Sequence, residues 1–237
     1  MTRLYTYRET ADTGFAPNPF HGVLTLANCK PDIRRTAQVG DWVAAFTANF
    51  VKNVEDKIVY RGKSGEGKVV WIGRVTKKPT YAEYWELYPQ KRPKSGKAMS
   101  AVTTNNCGAN GNIQAESVGC CAKGVAKSVG CSIKSNAKQI IDTGDNIYKP
   151  DSNAILGYVQ IPEANFHTDS YNQNKDLRGK FVLICEEFYY FGAANPYTPH
   201  HRPIIPPKQG HRINNAEDKM GQQFIEEFKH LTIGIQK

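Results

Sequence analysis

The chain has 237 residues, 40% of them hydrophobic and 11% aromatic, which is the composition of a folded protein with a sizeable core. Its formal net charge of +9, from 31 basic and 22 acidic residues, points to a polyanion as partner. No apolar run reaches membrane-spanning length and no apolar leader opens MTRLYTYRETADTG, so a cytoplasmic protein with reduced cysteines and no membrane contact is expected.

LYTYRE alternates and predicts a first strand. In APNPF, Pro17 and Pro19 flank Asn18 and stiffen an extended turn bracketed by Phe15 and Phe20. VGDWVAAFTANF reads as a turn and a strand, and KVVWIGRVTKKP as a strand that ends at proline. YAEYWELY places Tyr81, Tyr84, Trp85 and Tyr88 at helical spacing. Residues 91–140 lack Phe, Trp and Tyr and read as a basic, cysteine-containing insertion within a single domain of residues 1–237. Up to Lys138 this segment carries eight basic residues against Glu116, so seven of the nine net charges belong to it and the body is nearly neutral. GDNIYK, ILGYVQI and KFVLICEEFYYFG predict further turns and strands. YTPHHRPIIPPKQGHRINN reads as an ordered loop, and a helix near residues 215–231 closes the chain on Phe224, Phe228 and Leu231.

Several residues have chemistry beyond packing. Lys30, Arg34, Arg35, His211 and Arg212 either hold phosphates or form solvated turns. Phe15, Phe20, Trp42, Tyr190 and Phe191 either line a base pocket or belong to the core. Asn18, Asp145 and Asn146 are candidates to read a base edge beside Tyr148, although Asp and Asn in GDNIY also suit a plain turn. Asp145, His167 and Cys29 are the catalytic candidates. Cys29 with His167 or His211 makes a nucleophile–base pair if the fold brings them together, while burial as an inert thiol is the simpler fate. Cys107, Cys120, Cys121 and Cys131 lack paired C-x-x-C spacing, so free thiols are expected, with no metal and no cofactor.

Gly40, Asp41 and Trp42, with Ile72, Gly73 and Arg74 in a later strand, resemble the turn and strand of PUA, ASCH and EVE domains. That likeness implies an α+β fold on a PUA-like small β-barrel with peripheral helices and a C-terminal helix, and a pocket for an extruded base. GFAPNPFHGVLTLANCKPDIRRTAQVGDW, GDNIYK, KFVLICEEFYYFG and QGHR resemble, in this order, the second nucleotide-modification-associated domain family. The matching positions are residues 14–20, 22, 29–31, 34, 35, 40–42, 144–148, 167, 188, 190–192 and 210–212. The cysteine-bearing segment ahead of GDNIY departs from the pattern. The resemblance implies DNA binding with recognition of a modified base, in phage DNA modification or in defence against phage. The alternatives are an enzyme that modifies or de-modifies a base, and a module that binds only a protein partner.

Overall fold

The computed structural model describes residues 1–94 and 141–236. In chain order they form β1 (Arg3–Ala11), β2 (Leu24–Leu26), α1 (Pro31–Thr36), β3 (Trp42–Lys52), β4 (Ile58–Arg61), β5 (Val69–Arg74) and α2 (Tyr81–Leu87). A 3-10 turn at Pro89–Lys91 precedes the undescribed segment. β6 (Tyr148–Pro150), β7 (Tyr158–Gln160), α3 (Ser170–Leu177), β8 (Leu183–Cys185), β9 (Glu187–Tyr190), β10 (His211–Asn215), α4 (Lys219–Lys229) and β11 (Gly234–Ile235) follow. No helix among them is long and apolar enough to cross a membrane.

A mixed sheet in the order β10-β1-β3-β5-β9-β11, with β4 beside β3, organises the molecule. Strand alternation gives it two apolar faces. Tyr5, Tyr7, Val43, Ala45, Trp71, Phe188 and Tyr190 pack on one side with α1 and the β2–β8 ladder. Leu4, Ala44, Phe46, Ile72 and Tyr189 pack on the other against Phe224 and Phe228 of α4. The fold is therefore α+β. No strand pairing closes this sheet into a barrel among the described residues. The stretch expected to be loop ends differently, because HRINN pairs antiparallel with β1 as the edge strand β10. An edge strand needs no apolar alternation, so its sequence did not announce it.

A third cluster positions the site. Phe15, Ala27, Tyr81, Tyr84, Tyr148, Val182 and Ile184 pack between α2 and the β2–β8 ladder. Helix α2 starts on a capping box, with Thr80 and Glu83 bonding each other's backbone N–H. The expected insertion boundary moves here, because Lys91 belongs to the core. It is wholly buried, and its Nζ lies within 3.0 Å of Asn18 O, Asn18 Oδ1, Val23 O and Thr25 Oγ1. Burial pulls its ammonium down to about 8.

The two ends of the undescribed segment meet. Asp145 N and Asn146 N donate to Lys91 O at 3.0 and 3.1 Å. Gly144 sits at φ +68, where a Cβ would lie 2.5 Å from Pro93 N, so only glycine fits. A segment that leaves and returns at one point is closed by a short linker at small entropic cost. Replacing residues 95–140 with a short Gly/Ser linker is expected to shift the melting temperature by less than about 5 °C. Because it removes five lysines, the replacement should weaken only salt-sensitive binding to plain DNA. Loss of soluble protein would show the segment to be structural.

Candidate active site

The loop that ends at Lys30 carries Cys29. Cys29 and Lys30 both adopt left-handed backbone, at φ 57 and φ 41, and Pro31 then starts α1. His167 does the same at φ 56. Three of the six non-glycine residues with positive φ among the described residues thus meet at one place. Such strain persists only where surrounding structure imposes it, and it concentrates at functional sites.

That surrounding structure is identifiable. Asp176 of α3, wholly buried, accepts the backbone N–H of Cys29 on Oδ1 at 2.7 Å. Its Oδ2 accepts His167 Nδ1 at 2.5 Å and the Tyr148 hydroxyl at 3.0 Å. The other ring nitrogen, His167 Nε2, lies 3.5 Å from Cys29 Sγ. Gln160 Nε2 donates to the carbonyls of Phe166 and His167 and fixes the His167 backbone. Phe15 stacks on Phe166 at 4.8 Å and meets the His167 ring edge-on at 5.1 Å.

Arg34 clamps the loop from below. Its guanidinium donates to Cys29 O, Tyr81 OH, Phe181 O and Asp176 O at 2.6–2.8 Å. Gly179 leaves room for it, since a Cβ there would lie 2.5 Å from Arg34 Cζ.

Sulfur, imidazole and carboxylate therefore stand in line. Burial alone would lower the imidazole, but the Asp176 and Cys29 contacts outweigh it and raise His167 to about 10. At neutral pH both ring nitrogens carry protons, one held on Asp176 and one facing the sulfur. The expectation of a buried Cys29 is corrected on geometry alone, since the residue is half-buried with an imidazole against its sulfur. Cys185 does fit that description, being buried in β8 with its thiol pushed up by burial.

The same three residue types ligate transition metals, and their donor atoms lie within 4.8 Å of one another. One ion would gather sulfur, a single ring nitrogen and an oxygen about one point. Here the ring turns one nitrogen to each partner, and both Asp176 oxygens already accept hydrogen bonds. That arrangement suits a proton relay.

The other expected site residues lie elsewhere or are spent inside the protein. Asp145 is not with Cys29 and His167. It is wholly buried, accepts from Thr25 and Tyr84, and burial raises its carboxyl to about 6. Asn146 donates to the Tyr84 and Tyr88 carbonyls. Asn18 bonds Gly14 O, Asp142 and Lys91. A base edge would have to displace these partners. Phe20 and Trp42 are buried, and Tyr190 donates to Asp12 in the core. Of the aromatics proposed for a base pocket, Phe15 and Tyr148 border the Cys29–His167 pair. Phe191 packs against Tyr197 and Phe228 on the far face. Arg34 is buried and unavailable to phosphate. Arg35 is exposed and pairs weakly with Asp32, Arg212 is exposed, and His211 is half-buried against Tyr5. A groove of about 620 Å³ lined by Trp42, Arg74, Glu187, Gln222, Glu226 and Lys229 lies along α4, and Cys29 is not part of it.

Sequence reasoning did not single out Asp176. It sits in the polar stretch SYNQNKDL, and its partners Cys29, Tyr148 and His167, the first 147 residues away, give it meaning.

A family model described as nucleotide modification associated domain 2 matches residues 1–128 and 131–236. The chain belongs to this family. Membership in the nucleotide modification associated domain 2 family associates it with nucleotide modification. The match takes in all but residues 129 and 130 of the basic segment at 91–140, which was expected to depart from the family pattern. The cysteines at 107, 120, 121 and 131, and their expected free state, lie outside the described residues. No curated protein and no solved structure matches the chain.

Proposed function

We propose that this chain is a cysteine-dependent enzyme that cleaves or transfers an acyl-type group on a nucleotide, its natural substrate being a modified DNA base. The observation that carries the reading is the line Cys29 Sγ, His167 Nε2, His167 Nδ1, Asp176 Oδ2, with separations of 3.5 and 2.5 Å across its two gaps. A nucleophile, a base and a group that orients the base, each in contact with the next, form the general arrangement for covalent catalysis. Family membership supports the nucleotide as substrate class.

The chemistry follows from the residues. Cys29 sulfur forms a bond to the electrophilic carbon, and the C=O π pair moves to oxygen. When the pair returns, the bond to the leaving nitrogen or oxygen breaks, and His167 gives that atom a proton. His167 then takes a proton from water as the water oxygen attacks the thioester. The acid leaves and the sulfur is restored, so the net reaction is hydrolysis. Asp176 holds the imidazole in register and stabilises its charge. Exposed Arg35 and Arg212 are the cations we assign to flanking phosphates, and phage DNA modification or defence against phage is the setting we assign to the reaction.

The test uses DNA carrying plain, methylated, hydroxymethylated, glucosylated and acylated bases. After incubation, the DNA is digested and its nucleosides are weighed by mass spectrometry. A mass change in one modified base that Cys29→Ala abolishes is expected. The same change with Cys29→Ala would overturn the assignment of the nucleophile. No change on any substrate, with a Cys29 no more reactive than a free thiol, would overturn the enzyme reading.

A further inference from the structure

Lys30 follows the nucleophile directly, and its place is unusual for a lysine. The residue is half-buried in left-handed backbone, and Nζ stands 4.5 Å above the centre of the Tyr7 ring. Among the described residues this ammonium makes no hydrogen bond and no ion pair within 4.0 Å. A cation–π contact stabilises the charge but uses none of its three N–H donors.

The surroundings explain why the charge stays there. The Tyr7 hydroxyl donates to Glu9 Oε2 at 3.2 Å and accepts from Trp71 Nε1 at 3.0 Å. Glu9 is 3% exposed, and its Oε1 has no partner. Lys30 is attracted by both Glu9 and Cys29 and repelled by Lys175. Burial pulls the ammonium down from its usual range, and the two attractions act against that. A cation with free donors thus belongs to the residue next to Cys29, over a tyrosine whose hydroxyl meets a buried carboxyl group.

We propose that Lys30 is the anion-binding residue of the Cys29 site, donating to the oxygen that becomes negative as the sulfur adds to its substrate. Glu9 acts through Lys30 as a positioning residue. The inference rests on the proposed reading of Cys29 as nucleophile and adds the group that reading lacks. Covalent addition to a C=O group leaves an oxyanion, and a donor fixed in advance where that charge forms lowers the barrier. His167 and Asp176 are committed to the proton and to each other, so neither supplies that donor.

The test compares two thiol reagents of similar size, neutral iodoacetamide and anionic iodoacetate, on the full chain. Alkylation at Cys29 is read by peptide mapping. The rate ratio of iodoacetate to iodoacetamide is expected to be higher for the wild type than for Lys30→Met by about tenfold, between the bulk-water and protein-surface limits for unit charges ~6 Å apart. Lys30→Arg keeps the cation and is expected to keep most of the preference. Burial holds the Glu9 carboxyl well above the usual carboxylate range, and Glu9→Gln, which removes that carboxyl from behind the Tyr7 ring, should change the ratio without touching the sulfur. An unchanged ratio in Lys30→Met, with iodoacetamide still reacting quickly, would overturn the role of Lys30 and leave the nucleophile reading standing. Slow alkylation of wild-type Cys29 by both reagents would overturn both. If Lys30→Met does not fold, the Lys30→Gln and Glu9→Gln ratios decide, and no change in either overturns the proposal.

Discussion

Iodoacetamide at pH 7 is expected to label Cys29 about tenfold faster in the wild type than in His167→Ala, and to leave Cys185 unlabelled. An ordinary thiol with a pKa near ~8.5 is only about 3% thiolate at that pH. Complete conversion to thiolate therefore gains roughly thirtyfold, and the lower intrinsic nucleophilicity of a stabilised thiolate returns a few-fold of it. His167, raised to about 10 and 3.5 Å from the sulfur, is the group placed to make that difference. The pH profile carries a second signature. Labelling in the two proteins should depend differently on pH, because only the wild type has an imidazole 3.5 Å from the sulfur. Cys185 is 1% exposed, with burial pushing its thiol up, so it stays silent in either protein. Peptide mapping separates Cys29 from the four cysteines at 107–131. Equal rates and parallel profiles in the two proteins would mean that the imidazole does not activate the sulfur.

Much of the fold was legible because it follows from strand periodicity. LYTYRE alternates, WVAAFTANF follows a turn and VVWIGR is strongly β-prone, and they became β1, β3 and β5. A one-residue offset separates the α4 face of the sheet from the face that carries Tyr7. The site was half legible. Cys29 and His167 stood out as residue types, and so did the rigid loop around them. What failed was telling recognition from support. Arg34 and Arg35 read alike as cations, yet neighbouring helix positions point about 100° apart. Arg34 turns inward to clamp Cys29 and Asp176 while Arg35 faces water. Asn18, Asp145 and Asn146 were expected to read a base edge, and they hold the ends of the undescribed segment against the core instead. Polar side chains that look free in a sequence are often the ones that satisfy buried backbone. Lys91 teaches the same lesson, since charge alone put it in the solvated segment and four acceptors bring it inside. The capping box T-Y-A-E that starts α2 was readable in the sequence and went unused. Asp176 had no such local mark, because its three donors come from residues 29, 148 and 167.

Asp176→Asn is expected to lower the pKa of His167 from about 10 and to destabilise the protein. The carboxylate accepts three donors on two oxygens, and an amide replaces one of those acceptors with a donor. One of the Cys29 N–H, the Tyr148 O–H and the His167 N–H then faces another donor. Breaking a buried charged contact of this kind costs about 3–5 kcal/mol. Burial already works against the charged imidazole, and without the anion on Nδ1 only the Cys29 contact opposes it. The sign in the wild type is fixed by that shift. A histidine whose folded pKa lies above its unfolded value of about 6.5 lends stability that is fully present below that value and fades as pH rises through about 10. In Asp176→Asn that alkaline decline should shrink and move to lower pH, because only the Cys29 contact still opposes the burial of the charged imidazole. Two measurements separate the roles. Proton NMR of the His167 ring reads the titration, and urea unfolding between pH 5 and pH 10 reads the stability curve. A purely structural Asp176 would lower the unfolding midpoint while leaving the His167 titration where it was. A role in holding the imidazole for Cys29 moves the titration and slows iodoacetamide labelling together, even in a buffer where the variant is fully folded.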